Sequence, residues 1–162
     1  MTARTLRHRV SAAAANLTAA GELVAAVLPA LPGSGPSAAA DVTAGWLTRQ
    51  LASATPGAAA QRISSLDGTT GTTDRRRLAV EWNESGRAAG LPDHLFLKST
   101  PLSAKNRTMV AALGMAVNEA RFYNEAADEL RGVAPRSWYA RAGVGARFLI
   151  MLEDIVAAGG RP

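Results

Sequence analysis

The chain has 162 residues, 48% hydrophobic and 19% charged, the composition of one globular domain with enough apolar residues for a core. It has no cysteine, which excludes disulfides, zinc–thiolate clusters and a thiol nucleophile and fits an intracellular setting. The net charge of +5 suits an anionic partner, but Arg75, Arg76 and Arg77 form the only tight basic run and no zinc-finger or RRM-type pattern occurs, which argues against specific nucleic-acid recognition.

Residues 4–28 read as an alanine-rich helix, with Val10, Ala14, Leu17, Val24 and Leu28 at three- and four-residue steps. Arg4, Arg7 and Arg9 precede the alanine-rich stretch Ser11 to Ala30 as in a targeting signal, yet Asn16, Thr18, Gly21 and Glu22 interrupt it. Pro29, Pro32 and Pro36 make the uncharged segment that follows a poor membrane span, so no membrane association and a cytoplasmic location are expected. Residues 1–40 thus read as a helix and a Pro/Gly linker, with the main fold at 41–155.

Asp41 or Thr43 can cap a short helix containing Trp46, Leu47 and Leu51, ended by Thr55-Pro56-Gly57. Strands are expected at 61–67 and 76–82, the second alternating Leu78, Val80 and Trp82, with 67–74 as the small-residue tip of a hairpin. Asn83 to Asp93 reads as a polar turn region before a third strand at 94–99. One long helix over 107–131 follows, because Leu113, Ala116, Ala120, Tyr123, Ala127 and Leu130 share a stripe that Gly132 and Pro135 stop. Strands at 136–141 and 146–152 flank a Gly143-Val144-Gly145 turn. The expected fold is α+β: a five-stranded antiparallel sheet with one long helix after its third strand, preceded by N-terminal helices.

Of the 18 basic residues, only Lys98 and Lys105 are lysine. A compact ammonium on a flexible stem reaches between phosphates, whereas a planar guanidinium seeks bidentate partners; a lysine snorkelling at a strand end is the alternative. Glu119 falls roughly 70° from the centre of the helical apolar stripe, where a partly desolvated carboxylate needs a cation. Gly68 and Gly71 permit close backbone approach and Thr69, Thr70 and Thr72 supply hydroxyls, either as a phosphate-covering hairpin or as a plain turn. The arginine run could help to hold phosphates, but strand alternation sends Arg75 and Arg76 to opposite faces, leaving at least one solvated. Trp82, Trp138, Tyr139 and Phe148 read as core and sheet-face aromatics. His8 and His94 are too far apart to suggest a metal site or a triad.

The words Asp-His-Leu-Phe-Leu-Lys at 93–98, Asn-Glu-Ala-Arg-Phe-Tyr at 118–123 and Leu-Ile-Met-Leu-Glu-Asp-Ile at 149–155 carry a family resemblance. They resemble the third-strand lysine, the helix glutamate and the interlobe hinge of the aminoglycoside-phosphotransferase superfamily, closest to its ecdysteroid-kinase-like branch, over Asp41 to Ile155. The resemblance implies a kinase-like N-terminal lobe. Lys98 would then meet the α- and β-phosphates of ATP, with Glu119 orienting it and Gly68 to Thr72 covering the phosphates. The backbone of Met151 to Ile155, with Glu153 and Asp154 at the strand exit, would lie near adenine. No His-Gly-Asp loop with a following asparagine occurs in the chain. Mg2+ and the small-molecule acceptor are therefore expected on a C-terminal lobe reached through 156–162, and this chain alone is expected to be inactive. A noncatalytic nucleotide-binding or interaction module stays open, as does an α+β anion or nucleic-acid binder unrelated to kinases.

Overall fold

The computed structural model describes residues 20–26, 28, 36–130 and 132–160. Residues 20–26 are helical (α1) and Leu28 lies in a bend; residues 4–19 and 27 of the expected helix, and residues 29–35 of the linker, lie outside the described residues. Ala26 of α1 is fully buried; Val24 of α1 and Leu28 beyond it, both assigned to the apolar stripe, are more than half exposed. Two arginines hold the carboxyl end of α1. Arg107 Nε donates to the Ala26 carbonyl at 2.9 Å and Arg147 to the carbonyls of Ala25 and Leu28, a favourable placement of cations at the negative end of a helix.

The capping question is settled by geometry. Thr43 accepts from the Trp46 amide at 3.2 Å and starts α2 (Ala44–Leu51), while the Asp41 carboxylate binds the amides of Ser37 and Ala38 one turn earlier. The strands are β1 (Ala60–Thr70), β2 (Asp74–Trp82), β3 (His94–Ser99), β4 (Ser137–Ala142) and β5 (Phe148–Glu153). Among the described residues they form one sheet in the order β1-β2-β3-β5-β4, every neighbouring pair antiparallel.

Alternation sorts the side chains into two cores. Leu78, Val80, Trp82, Leu95, Leu97, Leu149 and Met151 pack against α2 on one face. Phe148, Ile150 and Leu152 on the other face pack under α4 (Ala104–Ala112) and α5 (Met115–Glu125), meeting Val110, Ala116 and Ala120. Strand β5 is covered on both faces, which is why Phe148 to Leu152 is an unbroken apolar run instead of an alternating one.

Three expectations need correction. The single helix over 107–131 is two helices and a 3₁₀ turn (Ala127–Leu130), because Gly114 adopts φ +60°, a left-handed conformation that ends α4. Leu113 and Leu130 consequently leave the stripe and are exposed, whereas Ala116, Ala120 and Ala127 stay buried. The hairpin tip is only residues 71–73, since the ladder continues to Thr70 and Asp74. The region 83–93 contains a short helix, α3 (Glu84–Ala88), which the Asn83 side chain caps by accepting from the Gly86 amide at 3.0 Å. No helix among the described residues is long and apolar enough to cross a membrane.

Candidate functional site

On the α5 side, the register aligns two rows of residues across the sheet. Thr69, Arg75, Lys98 and Ile150 form one, and Asp67, Arg77, Phe96 and Leu152 form the next. Because side chains on one strand alternate between faces, residues opposite one another across the ladder share a face. Above these rows and beside α5 lies a cavity of about 610 Å³. Its lining combines the cations Arg75, Arg77 and Lys98 with the apolar Phe96, Leu152, Ile155 and Val156.

Lys98 Nζ donates to Glu119 Oε1, joining β3 to α5. The two side chains are 23% and 26% exposed, so both charges are partly desolvated and each needs the other more than a surface pair would. Tyr123 lies one helical turn after Glu119 and also lines the cavity. Burial, with the negative charge of Glu119 adding to it, pushes the Tyr123 phenol above its ordinary pKa.

Arg77 ties the far side of the cavity together. Its Nε donates to Asp154 at 2.8 Å and its Nη1 to Asp67 at 2.9 Å, linking β1, β2 and the exit of β5. Hydrogen bonding to Asp154, foremost, raises the Arg77 pKa, so this guanidinium is a permanent cation. The Asp154 side chain is 2% exposed and also accepts from the amides of Val156 and Ala157. Its carboxylate is thus fully occupied in shaping the turn after β5.

The residues singled out from the sequence divide accordingly. Lys98 and Glu119 meet; Gly68, Thr69, Glu153, Asp154 and Ile155 line the cavity with Lys98. Thr70, Gly71 and Thr72 are not among its lining residues, and Asn106 Nδ2 instead binds the Gly71 carbonyl at 2.6 Å, fastening the hairpin tip to the start of α4. Met151 belongs to the opposite face. Its side chain is fully buried in the α2 core and its strand neighbours are Leu97 on one side and Tyr139 on the other. Gly68 has a packing reason as well. A Cβ there would stand 2.5 Å from Arg76 Cδ and 2.6 Å from the Arg75 carbonyl oxygen, so glycine lets the Arg76 side chain lie across β1.

Sequence reasoning gave the arginine run only a general phosphate role and placed Asp67 in the hairpin tip, without the ion pairs of Arg77 to Asp67 and Asp154, and it missed Phe96. Phe96 was recoverable, since it lies two residues before Lys98 on the same strand face. A second cavity of about 620 Å³ lies between the end of α5 and β4, sharing Tyr123, Pro135 and Glu153 with the first but not Lys98. No family model, curated protein or solved structure matches the chain.

Proposed function

We propose that the chain is the nucleotide-binding lobe of an ATP-dependent phosphotransferase acting on a hydroxyl of a small molecule. The observation that carries this reading is the Lys98–Glu119 ion pair at a cavity lined by both cationic and apolar side chains. A volume of about 610 Å³ lies within the range of roughly 300–1,000 Å³ typical of small-molecule sites. The polyphosphate would meet the ammonium of Lys98, which Glu119 holds in place, and the base would lie against Phe96, Leu152 and Ile155. Gly68 and Thr69 of the hairpin border the phosphate end. Glu153, Asp154 and Ile155 border the base end, through backbone, because the Asp154 carboxylate is taken by Arg77.

Phosphoryl transfer depends on magnesium and on a group that positions the acceptor hydroxyl. The chain contains no His-Gly-Asp loop for that work, so the reading assigns both to a second lobe and none to these residues.

Calorimetric titration with ATP and magnesium tests the reading. Weak binding is expected, with Kd on the order of 1 mM, about −4 kcal/mol, lost in Lys98→Met. A coupled ADP-release assay should stay at background with hydroxylated acceptors. Tight binding without turnover would favour a noncatalytic nucleotide-binding module, and no binding by a folded chain would remove the nucleotide reading.

A further inference from the structure

Arg75 stands directly across the ladder from Lys98, the two Cα atoms being register partners, and both line the same cavity. Directly opposed residues of an antiparallel pair hold their Cβ atoms about 5 Å apart, and like charges in that position destabilise the sheet. The other cations bordering the cavity are each neutralised by a carboxylate: Lys98 by Glu119, Arg77 by Asp154 and Asp67, and Arg76 by Asp74. Arg75 forms no ion pair among the described residues; its Nε donates only to the Thr73 hydroxyl, at a long 3.3 Å. Arg75 is exposed and water meets its charge, so an anion seated between it and Lys98 would replace that water and offset the like-charge contact.

We infer that Arg75 and Lys98 form a two-pronged clamp for a polyphosphate, with Arg75 gripping the oxygens that the single ammonium of Lys98 leaves free. The clamp rests on the reading of this cavity as a phosphate site, and it separates the three consecutive arginines by role. Arg76 lies over Gly68 of β1 and pairs with Asp74 of its own strand, Arg77 braces the exit of β5, and Arg75 is left to bind ligand. The planar guanidinium presents paired donors to phosphate oxygens, which an ammonium cannot do. One phosphate satisfies one prong, so affinity should rise steeply from monophosphate to triphosphate.

The test titrates the whole 162-residue chain with inorganic tripolyphosphate, ATP and AMP, beside Arg75→Gln, Lys98→Gln and a control, Arg62→Gln on the edge strand β1, whose exposed partner is Glu81 of β2. Arg75→Gln should weaken tripolyphosphate and ATP about tenfold, 1.4 kcal/mol, and AMP by much less, with Arg62→Gln unchanged. Without ligand, Arg75→Gln should unfold at the same or a higher temperature, because a like-charge contact is gone; a merely structural arginine would leave the variant less stable. Equal tripolyphosphate and ATP affinities in wild type and Arg75→Gln would overturn the clamp while leaving the nucleotide reading standing. Arg75-dependent binding of tripolyphosphate without any binding of ATP would uphold the clamp and defeat the nucleotide reading. Failure of the wild type to bind either would overturn both.

Discussion

A carboxylate one-quarter exposed on a helix gains more from an ammonium than a fully hydrated one does, because the screening water around it is already thinned. For that reason the Lys98–Glu119 pair should show measurable coupling. A double-mutant cycle with Lys98→Met and Glu119→Gln, followed by urea unfolding, should give about 1 kcal/mol of coupling, more than an exposed pair such as Arg62–Glu81. Tyr123 offers a second residue-scale test, since the chain has only two tyrosines. Its folded pKa is raised, so it contributes stability that is fully present below the unfolded phenol pKa of about 10 and is lost as pH rises through the higher folded value. Tyrosinate absorbance should show one component displaced to alkaline pH, and Tyr123→Phe should remove that component. At this scale the sequence was legible where chemistry was scarce: two lysines in the whole chain drew attention to Lys98, and the apolar stripe put Glu119 at its edge. The Arg77–Asp154 pair was not legible. Its partners are separated by 77 positions, and a strand-end acid looks the same whether it meets water or an arginine two strands away.

Elements were read correctly where periodicity was strong and misread where one backbone conformation decided. The alternation of Leu78, Val80 and Trp82 marked β2, and the apolar run within 146–152 marked β5, whose observed span is Phe148–Glu153. Helical spacing continued through Gly114, so nothing in the apolar pattern revealed that this glycine would turn left-handed and separate α4 from α5. Gly114→Ala should therefore cost about 1–2 kcal/mol in urea unfolding through backbone strain alone, as the space for the methyl is open apart from Asn118 at 3.6 Å. Gly71→Ala, with no positive φ and no atom near the added Cβ, should be close to neutral. An equal effect at the two positions would mean that the break at Gly114 does not matter to the fold. The hairpin was located but its tip was drawn too long. Small residues mark a permissive backbone, and here Thr69 and Thr70 use it to extend the ladder against Arg75 and Asp74.

At the scale of the molecule, one sheet separates two apolar cores, and the cavity opens beside the end of α5, over the rows that carry Lys98 and Phe96. Its two ends are held by different means, Asn106 at the hairpin tip and Arg77 with Asp154 at the β5 exit. Asp154→Asn keeps the shape but leaves Arg77 with one exposed carboxylate, and should cost about 2 kcal/mol, again by urea unfolding. The measurement that bears most directly on the account is a titration of isotope-labelled protein with ATP and magnesium, followed by amide NMR. The account predicts shifts concentrated at Gly68, Thr69, Lys98 and residues 153–156, and their disappearance in Lys98→Met. Shifts centred on α2 and the opposite sheet face around Trp46 and Tyr139, or an unchanged pattern in Lys98→Met, would contradict it.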